Sequence, residues 1–321
     1  MSFNEILSEV PVPALAVGTM YFGTTVPAAD AHRVLDEAFE QGARFFDTAN
    51  NYAFWTDGGT GDESENCLGA WLAHRGAGVR DRIVLASKVG ARPVPGGTDL
   101  TATLGLSPAA IRNQVTDSLR RLRTNHLDVL YTHTDDHAVP LAETLGTLAG
   151  LQQEGLIRIF AASNLTVGRL DEAIAAGATL GMSYQGLQQR FTYLVPDSSA
   201  DLTPHVLLDQ PIVQGCADAG MTMLGYSPLL SGAYTRTDRP LPDGYHTTTT
   251  RPALEQLRAV SVQAGLDAGQ TVLAWMSQRP HPVIPVVGVS RPEHVRSAVR
   301  AVTSVLSAEH LARLDAARTG S

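Results

Sequence analysis

The 321-residue sequence holds only two cysteines, Cys67 and Cys216, far apart and without a CxxC or Cys/His cluster. Their scarcity excludes a disulfide framework and a structural zinc site of the usual spacing, and leaves both thiols as packing residues. No apolar run approaches the roughly 20 residues that a membrane-crossing helix needs, so no bilayer span is expected. The opening MSFNEILSEVPVPAL carries acids where a secretory signal carries basic residues, and it lacks a long apolar stretch; a cytoplasmic protein is expected. Basic residues are in the minority, 24 Lys and Arg against 32 Asp and Glu, for a net charge of −8. A general nucleic-acid binder needs a basic stripe, and the dense run Arg120 to Arg123 reads instead as a solvated helix face or a C-terminal cap. No nucleic-acid partner is expected. Two glycine signatures are also missing: no GxGxxG follows the first apolar segment, and no GxxxxGK[ST] occurs anywhere. Phosphate recognition by a Rossmann turn or a P-loop is therefore excluded.

What is present is alternation. Eight short apolar segments, residues 14–19, 44–48, 82–88, 127–133, 156–163, 180–185, 221–227 and 282–288, read as strands, and stretches of helical pattern lie between them. One such stretch, AADAHRVLDEAFEQG, ends on the cap-competent Gly42, and in another Ser107 stands as N-cap before Pro108. Strand then helix, repeated eight times, implies parallel strands with helical crossovers. The expected fold is α/β: a single (β/α)₈ TIM barrel spanning residues 1–321, its active site at the C-terminal mouth, with a doubly wound sheet as the alternative. Residues 57–63 and 235–250 read as mobile loops.

On such a barrel, reactive side chains project from the strand ends where the following loops begin. Asp47 ends the second strand, Tyr52 lies in its loop, Lys88 ends the third strand and His133 the fourth. Each alone has an ordinary reading: a helix cap, a solvated lysine, a hydrogen-bonded histidine. An acid, a phenol, an ammonium and an imidazole at one rim are far more specific as a set. His133 and His137 do not amount to a metal site, because they lie at a strand end and in a loop and no third ligand is evident.

With these four residues in place the chain resembles the aldo-keto reductases, from about Val17 to about Ala301. The resemblance implies a barrel that uses NAD(P)H without a Rossmann fold, with Asp47, Tyr52, Lys88 and His133 as its catalytic set. It places Gly18, Thr19, Met20 and Asp47 beside the cofactor. It gives Ser163, Asn164 and Gln185 to the nicotinamide carboxamide and Tyr226 to the face of the ring. Ser227 and Leu229 would follow the pyrophosphate. Gly288, Ser290, Arg291 and His294, in GVSRPEH, would hold the adenosine phosphate, with Ser290 and Arg291 favouring NADPH and NADH as the alternative. The GLQQRF that follows Gln185 departs from the family's usual sequence there.

Carbonyl reduction needs a hydride at carbon and a proton at oxygen, and a nicotinamide supplies only the first. Tyr52 is the expected acid. A lysine charge roughly 4 Å away, at an effective dielectric of about 20, is worth about 4 kcal/mol, which lowers a phenol's pKa by about three units from its usual value near 10. Asp47 would aim Lys88, and His133 would hydrogen-bond the carbonyl oxygen. Tyr21, Phe22, Phe54 and Trp55 are candidates for an apolar substrate rim, with packing of the 57–63 loop the equal alternative for Phe54 and Trp55; Asp57, Asp62 and Asp136 are either contacts to a hydroxylated substrate or, more commonly for such residues, solvated loop acids. The expected partner is a small carbonyl compound, aldehyde, ketone or keto sugar. Reduction of an enone in a deoxysugar pathway and a nucleotide-sensing subunit similar to those of potassium channels are the alternatives.

Overall fold

Eight short strands alternate with helices through residues 1–320, which the computed structural model of the protein describes. They are β1 (Ala16–Gly18), β2 (Phe45–Asp47), β3 (Val84–Val89), β4 (Leu127–Thr132), β5 (Ile157–Ser163), β6 (Gly186–Arg190), β7 (Thr222–Tyr226) and β8 (Val283–Gly288). All pair in parallel and in chain order, and β8 returns to β1, so the sheet closes into a barrel. Helices such as Ala28–Glu40, Glu63–Arg75 and Pro108–Leu122 cross over between successive strands. The last of these starts as expected, with the Ser107 hydroxyl accepting from the Ala110 N–H behind Pro108.

Short strands suffice because a barrel strand is covered on both faces. Inward side chains, among them Phe45, Val84, Ala86, Val129, Ile159 and Leu224, fill the lumen, while a larger apolar layer joins the strands to the helices outside. The lumen is stoppered where the strands begin. A helix at Phe3–Leu7, opened by a reciprocal Ser2/Glu5 cap, sends Phe3, Ile6 and Leu7 into the inner cluster. Phe3 lies so close to the start of β6 that a Cβ on Gly186 would sit 2.8 Å from its ring. The opposite end carries the loops that follow the strands.

Two expectations need correction. The sixth strand runs over Gly186–Arg190 and not 180–185, because Leu180 is the last residue of the helix Val167–Leu180 and Gly181, at φ 66°, caps it. Residues 235–250 were expected to be mobile, but a short 3₁₀ turn at Asp243–Tyr245 buries Tyr245 completely, and Thr250 donates to its carbonyl at 2.6 Å.

Candidate active site

The register levels the reactive side chains with one another. Gly18 pairs with Asp47, Asp47 with Ala86, Lys88 with Tyr131, and Ser163 with Gln188, so the strand ends rise to a common mouth. There Lys88, wholly buried, spends all three ammonium hydrogens: on the Asp47 carboxylate, on the Thr48 carbonyl at 2.8 Å and on the Tyr52 hydroxyl at 3.1 Å. Asp47, 1% exposed, is held from its other oxygen by the Gln188 amide at 2.9 Å. The half-buried Tyr52 meets the imidazole of His133 edge to face, ring centroids 5.6 Å apart, and the Trp55 ring at 6.3 Å.

Burial opposes the Lys88 charge, but Asp47 and Tyr52 together outweigh it and hold the ammonium's pKa above its usual value. For Tyr52 the balance differs from the sequence expectation. Lys88 does pull the phenol's pKa down, yet burial is the larger effect and Asp47 adds to it, so the net displacement is upward. His133 is pushed well below the usual imidazole range by burial and by the Lys88 charge, which leaves it neutral at pH 7. Its Nδ1 is buried without a hydrogen-bond partner.

Further round the mouth, the Ser163 hydroxyl donates to the Gln188 carbonyl at 2.7 Å. The Asn164 amide donates to the His133 carbonyl at 3.0 Å and to Ser163 Oγ at 3.1 Å, and its oxygen accepts from Tyr226 Oη at 2.7 Å and from the Val206 N–H at 3.2 Å. Tyr226 ends β7, and the exposed Ser227 and half-buried Leu229 follow it in a loop where Ser227, Leu230 and Ser231 take positive φ. Gly18 and Gly288 pair at the junction of β1 and β8. Thr19, wholly buried, donates to the Asp47 carbonyl at 3.1 Å, and Met20 is half-buried beside it. Beyond them a groove of about 430 Å³ runs between the loops after β1 and β8, lined by Thr25, Pro27, Arg33, Ser290, Arg291 and Glu293. His294 stands 3.4 Å from Ser290 Oγ.

Some candidates are not brought to this mouth. Gln185 precedes β6, three positions below Gln188 in the barrel, and its amide turns back onto Ser183; the GLQQR that follows it is β6 itself and supplies the inward side chain in its place. Gln188, which sequence reasoning missed, takes the inward place beside Asp47. Phe22 is 1% exposed and packs into the outer core, so it cannot line a substrate rim, whereas Tyr21 and Trp55 are exposed and Phe54 lies against Trp55. Asp62 is held by Arg92 and Arg121, and Asp136 accepts from the Leu106 and Ala138 amides.

The chain as a whole is similar to known proteins. An uncharacterised oxidoreductase of Bacillus subtilis, YrpG, is 28% identical over 95% of this chain and 91% of its own. Norsolorinic acid reductase B of Aspergillus parasiticus is likewise 28% identical, over 95% and 80%. An aldo/keto reductase of Klebsiella pneumoniae, solved with NADP and acetate, superposes with a TM-score of 0.70 at 26% identity, covering 95% of this chain and 90% of that one. The sequence pattern of the Aldo/keto reductase family matches residues 14–319, nearly the whole chain, and the protein is therefore a member of that family of NAD(P)H-dependent oxidoreductases.

Proposed function

We propose that the protein reduces the carbonyl of a small aldehyde, ketone or keto sugar to the alcohol with NADPH, and that Tyr52 delivers the proton. The observation that carries this reading is the contact of the Tyr52 hydroxyl with Lys88 Nζ at 3.1 Å, backed by the buried Asp47 carboxylate. The residues of the mouth fit the cofactor: polar side chains from β5 and β6, an aromatic ring at the end of β7, and a groove carrying Arg33 and Arg291 for an anionic end. When bound, the nicotinamide supplies the hydride.

The raised pKa of Tyr52 suits this direction, because the phenol is protonated at neutral pH and ready to donate. The phenolate left behind then lies beside a lysine that Asp47 keeps charged, where its negative charge is compensated. His133, neutral at pH 7, would donate a hydrogen bond to the carbonyl oxygen without competing for the proton. Ser290 and Arg291 would meet the phosphate that distinguishes NADPH, with Arg291 giving up its exposed pairing with Glu293. An assembled acid–lysine contact favours chemistry over a purely nucleotide-sensing role. A relative named as a norsolorinic acid reductase supports reduction.

The test follows NADPH oxidation against a panel of aromatic aldehydes, ketones and keto sugars. Tyr52→Phe should retain NADPH binding and lose at least about 10²-fold in turnover. Undiminished turnover in that variant removes Tyr52 from the mechanism.

A further inference from the structure

The loop that carries Tyr52 is fastened by a chain of charges outside the catalytic set. Arg92, in the loop after β3, donates through Nη1 to the Asn50 carbonyl and through Nη2 to the Thr60 carbonyl at 3.2 Å, two residues before and eight after Tyr52. The same guanidinium pairs with Asp62 at 2.7 Å. Asp62 also meets Arg121 at 3.2 Å, and Arg121, 5% exposed, pairs with the wholly buried Glu65 at 2.7 Å. Glu65 accepts from the Ser87 hydroxyl at 2.5 Å, and Ser87 is the residue before Lys88. An unbroken path of ion pairs and hydrogen bonds thus joins the segment bearing the phenol to the strand bearing the ammonium. Asn51 and Asn50 each tie one point of that segment, to the Ala91 carbonyl and to Gln114. Arg92 is different, because its planar fork spans both ends.

We propose that Arg92 is a positioning residue for the reaction: it staples both ends of the loop that carries Tyr52 and so keeps the phenol against the Lys88 ammonium. The proposal rests on the reductase reading for its catalytic consequence, but the placement of Tyr52 can be read without turnover. Tyr52 ionisation is measured as the tyrosinate absorbance lost on Tyr52→Phe, in the wild-type and Arg92→Ala backgrounds. Freeing the loop admits water to a phenol whose pKa burial has raised, so in Arg92→Ala the Tyr52 titration should fall back towards the ordinary value near about 10. In the same variant kcat for aldehyde reduction should drop about tenfold or more, while the affinity for NADPH, read by its fluorescence, stays within about twofold. Asp62→Asn, which keeps the guanidinium but removes the charge it shares with Arg121, should reproduce both effects in weaker form. A Tyr52 titration unmoved in both variants, or an unchanged kcat in an active enzyme, overturns the proposal. A titration that moves in a protein whose wild type reduces no carbonyl leaves the positioning role standing and removes the reductase reading instead.

Discussion

Replacing Asp47 by Asn leaves a lysine in the barrel with no exposed surface and no counter-charge. The isosteric amide can still accept one hydrogen bond from Lys88, but its NH₂ now faces the Gln188 amide that donated to the carboxylate. Removing one partner of a buried pair costs about 3–5 kcal/mol. The chain can limit that cost by releasing the proton from Lys88. At pH 7, against an unfolded pKa near 10.4, neutralising it costs at most about 3.4 × 1.36, or about 4.6 kcal/mol. The two figures agree, and the second makes a prediction about slope. If the folded variant holds Lys88 neutral, its unfolded state binds one more proton, so its stability rises with pH by about 1.36 kcal/mol per unit until about pH 10. The deficit relative to wild type should therefore shrink from about 4.6 kcal/mol at pH 7 to about 1.9 at pH 9. Wild-type Lys88 has its folded pKa raised, so its contribution is fully present below about 10.4 and is lost only as pH climbs through the raised folded value; it stays flat over the same window. Urea unfolding of both proteins at pH 7, 8 and 9 reads the difference directly. Parallel stability curves, or a deficit below about 1 kcal/mol at pH 7, would refute a buried charge pair at the base of the mouth.

Three further outcomes are expected. Gln188→Ala should weaken NADPH binding and Gln185→Ala should leave it unchanged, as measured by fluorescence titration; the reverse order would restore the strand register read from sequence. Arg291→Ala should cost more affinity for NADPH than for NADH, since only NADPH has the extra phosphate to lose, and equal losses would remove Arg291 from cofactor selection. His133, with its pKa well below the usual imidazole range, should keep neutral-ring nitrogen chemical shifts as the pH falls from 8 through about 6.5, the ordinary histidine midpoint. An imidazolium signal at that midpoint would contradict its buried setting.

What could be read from the sequence was what local pattern determines. Strands β3, β4, β5, β7 and β8 are dense in branched and aromatic residues, and all of them fall within a residue or two of the expected bounds. Asp47, Lys88 and His133 were legible because each follows such a run directly. β6 was not: GLQQR carries two buried glutamines on opposite faces, one for Asp47 and one for the Leu165 carbonyl, and has no apolar signature. The helix end before it supplied the misleading hydrophobes. Phe22 was misplaced because loop position alone does not tell whether an aromatic turns to the mouth or under the loop. The sign of the Tyr52 displacement depends on weighing burial against a single charge, and burial is not written in the sequence. The staple through Arg92 joins residues brought together by the closure of the sheet, and no spacing announces it.

The saturated amide of Asn164 has a consequence for how such a mouth discriminates. With two donated and two accepted bonds already in place, a carboxamide docking there replaces existing partners and adds none. Each exchange contributes the difference between two similar bonds, less than the roughly 0.5–1.5 kcal/mol of one gained outright. The redox end of the cofactor would then be recognised chiefly by fit, and the greater part of the affinity would come from the distant charged end, where an exposed arginine trades a loose surface partner for a phosphate. Because oxidised and reduced nucleotide carry the same carboxamide, this contact would not tell one from the other.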